Sequence, residues 1–361
     1  MSQLEDSIAR VIRQDVQGMH AYAVQHSAGL VKLDAMENPF RLSPALQQQL
    51  GERLGRVAIN RYPGNRVDEL RAALAAHAGL SPGLGLMLGN GSDELISLLA
   101  MAADLPEAVL MAPVPGFVMY QMSAQLQGLR FVGVPLTADF ELDEAAMLTA
   151  IETQRPSLLF LAYPNNPTAN LWNDQTIERC IEAMGHVNGL VVMDEAYQPF
   201  AARNSMDRLR RHAHVLVMRT MSKFGLAGVR IGYLMGAEAL IQQIDKLRPP
   251  YNISVLNAEA ALFALAHAAE YAEQAALIRS ERERVFAELA DLPGVKPYPS
   301  QANMILLRVV DAAAVFAAMR QRGVLVKNVS ALHPLLGNCL RITVGTPDEN
   351  GRMLNALRAS I

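Results

Sequence analysis

The sequence predicts an α/β protein, with a large domain on a mostly parallel mixed sheet and a smaller α+β domain beside it. Three observations predict it. Between residues 86 and 235, short unbroken apolar runs alternate with helix-compatible stretches, as buried strands of a largely parallel sheet do. After Arg248-Pro249-Pro250 the texture changes to a stretch rich in Ala, Leu, Glu and Arg, and then to short strands and helices. A chain of 361 residues also exceeds what one small core requires and suits a large domain with a companion.

Taken in order, residues 4–19 place Leu4, Ile8, Val11, Ile12 and Met19 at helical spacing. One helix is expected there, with the small domain as a surface on which it can dock. Turn signals follow at Asn38-Pro39 and Tyr62-Pro63-Gly64-Asn65. Strands are expected at 86–89, 109–112, 130–134, 158–162, 190–193, 215–218 and 230–235. The last follows its predecessor without room for a helix, so one antiparallel strand is expected. Residues 255–292 contain neither Gly nor Pro and read as one long helical segment. Beyond Pro293-Gly294, strands are expected at 304–309, 324–327 and 340–344, with helices at 311–322 and 347–359. The expected division is a large domain over 40–250 and a small one made of 1–39 and 251–361.

Composition narrows the class. Hydrophobic residues are 51% and charged residues 19%, which favours a filled interior over disorder. A net charge of −3 without long runs of one sign gives no footprint for nucleic acid. The apolar stretch 95–103 is far too short for a membrane span, and Glu5, Asp6, Arg10 and Arg13 interrupt any signal-peptide core. Cys180 and Cys339 are the two cysteines; they exclude a disulfide framework and read as packed thiols of a cytoplasmic protein. His212 and His214 lack the companions of a metal site, so no metal is expected.

Four segments of the alternating half carry chemistry, each near the expected C-terminal end of a strand, where open α/β sheets place ligands. Gly89-Asn90-Gly91-Ser92-Asp93-Glu94 precedes an apolar helix. Its glycines let backbone approach an anion, Ser92 suits an N-cap, and free amides at the helix start suit a phosphate. A bare turn with a cap explains the same residues. Tyr163-Pro164-Asn165-Asn166-Pro167-Thr168 follows a strand; its prolines fix an extended turn and Asn166 offers an acceptor and donors, as a plain loop also would. Asp194-Glu195-Ala196-Tyr197 ends the run 190–193. A carboxylate there is costly to bury alone; a cationic ring nitrogen and a structural arginine are both possible partners. Ser222-Lys223-Phe224-Gly225-Leu226-Ala227-Gly228-Val229-Arg230 follows 215–218. Desolvation there disfavours the Lys223 ammonium and frees the amine for imine formation, while Ser222 and Arg230 can meet a phosphate. One lysine alone reads as a surface residue. Four segments in this order do not.

The order GNGSDE, YPNNPT, DEAY, SKFGLAGVR resembles the fold-type I aminotransferases and, within them, the histidinol-phosphate aminotransferase family. The resemblance runs from Lys32-Leu33-Asp34-Ala35-Met36-Glu37-Asn38-Pro39 through Asn60-Arg61-Tyr62-Pro63-Gly64 to Leu340-Arg341-Ile342-Thr343-Val344-Gly345-Thr346. It implies a fold-type I PLP-dependent transferase whose cofactor, pyridoxal 5'-phosphate, is held as a Schiff base by Lys223. Lys223 would then move the proton between substrate Cα and cofactor C4'. Asp194 would pair with the pyridinium nitrogen, making the ring an electron sink. Asn166 and Tyr197 would hydrogen-bond the phenolic oxygen, and Phe117, in Pro115-Gly116-Phe117, would stack on the ring. Ser92, Asp93, Ser222 and Arg230 would hold the phosphate, the first two partly through backbone amides. Tyr62 resembles the tyrosine that reaches the phosphate from the neighbouring subunit, which implies a homodimer with shared sites. One departure stands out: Lys223 and Arg230 are seven positions apart, where many relatives have eight, so a different loop path is expected with the phosphate role retained.

For the substrate, the resemblance implies amino transfer from L-histidinol phosphate to 2-oxoglutarate. Arg341 sits in the motif that general aminotransferases of this fold use for the α-carboxylate. Histidinol phosphate carries a phosphate ester on that side, and such a dianion calls for more than one donor. Lys327 resembles a basic residue the family uses there; Tyr22 and Tyr251 resemble its phosphate-contacting tyrosines, Tyr251 across the dimer. Asn38 is expected on the substrate side as well. Lys327, Tyr22 and Tyr251 read equally well as surface or packing residues. An aromatic amino-acid aminotransferase and a decarboxylase of a phosphorylated amino acid share the fold, and no motif encodes the substrate rotation that separates them.

Overall fold

A computed structural model describes residues 3–19 and 25–361. Val31–Lys32 forms a short first strand, β1. Seven strands then build the large sheet: β2 (Leu84–Gly89), β3 (Val109–Val114), β4 (Arg130–Pro135), β5 (Leu158–Ala162), β6 (Leu190–Asp194), β7 (Val215–Thr220) and β8 (Gly232–Ala237). Their order is β2-β8-β7-β6-β5-β3-β4, and β8 runs antiparallel to both its neighbours. The link between Thr220 and Gly232 is too short for a helical crossover, which a parallel pairing would demand. That link carries Lys223.

Side chains alternate between the two faces of this sheet. On β5, Leu159 and Leu161 enter one core while Leu158 and Phe160 enter the other; on β7, Val215 and Val217 oppose Leu216 and Met218 in the same way. Both faces are covered, which is why these strands read as unbroken apolar runs. Helices Arg66–Ala78, Glu144–Gln154 and Asp174–His186 cover the first face through Leu70, Leu74, Met147, Ile151 and Ile177. Helices Ser92–Ala102, Val118–Gln127 and Glu238–Asp245 cover the second through Leu95, Leu99, Tyr120 and Ile241.

The remaining strands are β9 (Lys296–Pro297), β10 (Met304–Arg308), β11 (Val324–Leu325), β12 (Lys327–Asn328) and β13 (Cys339–Thr343). An antiparallel sheet of order β12-β13-β10-β9 forms from four of them, and β11 pairs in parallel with β1. Met304, Ile305, Leu340 and Ile342 of this sheet share a third core with Ile278, Val285, Leu289, Met353 and Leu357.

Several expectations change. The single helix over 255–292 is two, Val255–Ala266 and Ala268–Ala290, broken at His267 (φ −116°, ψ 32°). The break lies where the chain passes between cores. Ala258 and Ala261 pack in the core that holds Leu70 and Leu74, whereas Ile278 belongs to the third core. Residues 255–266 thus pack with the large sheet. The strand expected over 324–327 divides, with buried Val326 between β11 and β12, because its halves join different sheets. The N-terminal helix is Gln3–Val11 followed by Gln14–Gln17, and Leu4, Ile8, Val11 and Ile12 are exposed. The segment reaches the large-sheet side at Arg13. Arg13 donates to the carbonyls of Leu126 (2.6 Å) and Gln125 (2.9 Å), at the end of helix Val118–Gln127, where a cation is favoured. Cys180 and Cys339 are free and buried, and burial pushes the Cys180 thiol up to about 12. Among the described residues, no helix is long and apolar enough to cross a membrane.

Candidate active site

Parallel strands direct their carboxyl ends to one edge, and the loops after β2, β3, β5, β6 and β7 meet there around a cavity of about 360 Å³. Ser92, Asp93, Phe117, Asn166, Asp194, Tyr197, Ser222, Lys223 and Arg230, each expected from the sequence, line this one cavity. Lys223 follows β7, and its Nζ donates to the Ala35 carbonyl (3.1 Å) and stands 5.8 Å from the Tyr197 ring centre. Loss of water around the amine, and next the positive charge of Arg341, bring its pKa down to about 8. More free amine is therefore present near neutrality than an ordinary lysine offers.

Asp194 ends β6 and is buried. Its Oδ2 accepts a hydrogen bond from the Tyr120 hydroxyl (2.6 Å) and its Oδ1 one from the Ala196 amide (3.0 Å). Burial raises its pKa to about 6, against the downward pull of those two bonds. The structural arginine belongs to the next residue: Arg219 Nη2 lies 2.8 Å from Glu195 Oε2. Asp194 is thus met by neutral donors, which leaves a place for a cationic ring nitrogen.

Asn166 faces the cavity with its orientation set from behind. Arg341 Nη1 donates to Asn166 Oδ1 (2.7 Å) and Nη2 to the Asp34 carbonyl (2.9 Å). A guanidinium can only donate, so Asn166 must turn its oxygen to Arg341 and keep its NH2 for another acceptor. Tyr197 is buried beside it, and loss of water raises its hydroxyl pKa.

The opposite end of the cavity suits an anion. Gly91, not Ser92, holds the N-cap position of helix Ser92–Ala102, at φ 81° and ψ 171°, a conformation essentially reserved for glycine. Ser92 is instead the first helical residue, at the end where free amides point outward. A Cβ on Gly232 would lie 2.6 Å from the Gly91 carbonyl carbon, and one on Gly91 would lie 2.8 Å from Arg230 Nη2, so no side chain fits in this cradle. The shortened loop still delivers Arg230. The residue takes a left-handed conformation (φ 55°, ψ 52°), and its Nη2 comes within 3.4 Å of Asp93 Oδ2. Thr220 Oγ1 donates to Ser222 Oγ (3.0 Å), and both residues line the same cavity. An amine, a buried carboxylate without a cation, an oriented amide and an anion cradle together fit pyridoxal 5'-phosphate.

Residues 28–357 match the family model described as aminotransferase class I and II. The chain belongs to this family. It is 68% identical to a histidinol-phosphate aminotransferase of Methylibium petroleiphilum, over 98% of this chain and 96% of the relative. With the protein of that name from Polaromonas naphthalenivorans it shares 62% identity, over 100% and 99% of the two chains. These likenesses place it, within the class, in the histidinol-phosphate aminotransferase family. A solved histidinol-phosphate aminotransferase of Sinorhizobium meliloti, in complex with pyridoxal-5'-phosphate, superposes with a TM-score of 0.84 at 26% identity and covers 97% of both chains. The protein is a pyridoxal-5'-phosphate-dependent aminotransferase of fold type I.

The other expected residues that the structure describes lie away from the cavity wall. Lys327 on β12 stands directly opposite Arg341 on β13. Asn38 donates to Gln274 Oε1 (2.9 Å) and accepts from the Phe40 amide (2.9 Å), so its side chain is engaged outside the cavity. Tyr62 and Tyr251 stack on each other at 4.1 Å, both largely exposed, beside a separate cleft that Tyr62 shares with Arg53, Arg56 and Arg61. Tyr22 lies outside the described residues. Sequence reasoning missed Tyr120, Thr220 and Glu37, which also line the site. Tyr120 had one signal, its place a helical turn after Phe117, but an aromatic in an apolar helix reads as core.

Proposed function

We propose that the protein transfers the amino group of L-histidinol phosphate to 2-oxoglutarate, giving imidazole acetol phosphate and L-glutamate. It does so in the cytoplasm, as a homodimer with shared active sites. The observation that carries the substrate is the cross-strand pair Lys327–Arg341, with Arg341 bonded to the cavity residue Asn166. Directly opposed residues of antiparallel strands project from one face. Two cations then stand together where a phosphate dianion needs more than one donor. Relatives named histidinol-phosphate aminotransferase at 62% and 68% identity support the same reading.

Bound pyridoxal 5'-phosphate supplies an electron sink for the pair left when the substrate Cα loses its proton. Lys223 holds the cofactor and, as a free amine, carries that proton from Cα to C4'. Asp194 keeps the ring nitrogen protonated. Asn166, its oxygen committed to Arg341, donates to the phenolic oxygen together with Tyr197. Phe117 covers one face of the ring. Ser92, Asp93, Ser222 and Arg230 hold the phosphate end. Tyr62 and Tyr251 serve the partner's site, and Tyr22 the substrate phosphate. Asn38 contributes through the turn it holds.

Comparing histidinol phosphate with histidinol tests the substrate. Each charge-assisted contact corresponds to about 1.5–3 kcal/mol, or about ten- to a hundredfold in kcat/KM. Lys327→Ala should weaken the phosphorylated donor selectively, while Arg341→Ala should also damage the glutamate half-reaction. Equal kcat/KM for the two donors would end the assignment. Phenylalanine or tyrosine leading a donor screen would indicate an aromatic aminotransferase, and carbon dioxide release without glutamate a decarboxylase.

A further inference from the structure

Asp194 has two anchors from different parts of the chain. The Ala196 amide, two residues on, fixes Oδ1 locally. Oδ2 depends on Tyr120, from helix Val118–Gln127, 74 positions earlier in the chain and also lining the cavity. An O–H···O distance of 2.6 Å is what a charged acceptor draws. The Tyr120 ring is itself held: it is 2% exposed, stacks on Phe160 of β5 (4.5 Å, 18°) and meets Phe117 edge-on (5.6 Å, 87°). Its hydroxyl direction is therefore set by packing. Burial, and then Asp194 itself, raise the Tyr120 pKa well above the ordinary tyrosine value, so this group donates at every working pH. The hydrogen bond also opposes the burial that would neutralise Asp194.

The geometry points to Tyr120 as a positioning residue for amino transfer, whose hydroxyl keeps the Asp194 carboxylate charged and aimed at the cofactor ring nitrogen while its ring braces Phe117. This rests on the assignment of Asp194 to that nitrogen. A tyrosine that only fills the core would be replaced by phenylalanine without consequence.

Tyr120→Phe keeps the ring and its stack on Phe160 and removes the hydroxyl alone. The variant should bind pyridoxal 5'-phosphate about tenfold more weakly, a factor expected from one charge-assisted hydrogen bond. The loaded enzyme should lose about tenfold in kcat with KM for the amino donor little changed. Deuterium at the donor Cα should then slow it more than it slows the wild type. In an Asp194→Asn background Tyr120→Phe should have no further effect, because the charge it supports is gone. Wild-type affinity and kcat in the single variant, or full additivity with Asp194→Asn, overturns the proposal. If Asp194→Asn itself behaves as wild type, the Asp194 assignment falls and Tyr120 with it, so the two failures are distinguishable. Should Tyr120→Phe not fold, 3-fluorotyrosine at this position retains the shape and a more acidic donor. Affinity equal to or tighter than wild type supports the role, and a tenfold loss overturns it.

Discussion

Lys223 and Asp194 face one cavity with pKa values displaced toward each other, the amine down to about 8 and the carboxyl up to about 6, both chiefly for want of water. The signs differ in their consequences. Lys223, depressed on folding, adds stability above the ordinary lysine pKa and loses it as pH falls through about 8. Asp194, raised on folding, adds stability below the ordinary carboxylate pKa and loses it as pH rises through about 6. Between these values both charges stand buried at a cost, and a cofactor that meets them relieves it. The apoenzyme should therefore capture pyridoxal 5'-phosphate covalently at a rate that rises with a midpoint near pH 8. Stopped-flow absorbance would show this; a midpoint near the free lysine value of about 10.4 would contradict it. Borohydride reduction of the holoenzyme should leave the pyridoxyl group on Lys223, and Lys223→Ala should lose nearly all turnover. A label on Lys246 or Lys327 would sink the assignment.

At the scale of elements, the site depends on how closely two backbones approach. β8 passes so near the start of helix Ser92–Ala102 that a Cβ on Gly232 would meet Gly91 C at 2.6 Å and Ser92 N at 2.7 Å. Backbone cannot yield as a side-chain tip can. Gly232→Ala should cost about 1–3 kcal/mol in denaturant unfolding, the range for overpacking, and weaken cofactor binding along with it. Unchanged stability would mean that the strand and helix start move apart freely. Gly351 offers the contrast. It lies inside helix Pro347–Arg358, and nothing stands within 4 Å of where a Cβ would be. Gly351→Ala should stabilise the chain by about 0.5–1 kcal/mol through helix propensity alone, with kcat untouched.

At the scale of the molecule, a stacked and largely exposed Tyr62–Tyr251 pair away from the Lys223 cavity is what a shared dimeric site would need. Mixing a Tyr62→Ala chain with a Lys223→Ala chain should restore part of the activity, since one hybrid site collects both defects and the other neither. No recovery, after subunit exchange is demonstrated by mass, would count against sharing.

What the sequence determined by itself lies in contiguous stretches. Apolar runs marked the strands, and the turns after them supplied Lys223, Asp194, Asn166 and the Gly91 cradle to one sheet edge. A strand end and the loop after it are encoded locally, and parallel order then brings such loops together. Only the tertiary structure decided the rest. Tyr120 meets Asp194 from 74 positions away, and Arg341 turns the Asn166 amide from 175 positions away. The break at His267 and the division around Val326 likewise reflect which core or sheet each half joins. Such contacts depend on sheet register and on how β13 meets the edge of the large sheet. Apolar periodicity is the same for every partner a face can cover, so it does not name the one it meets.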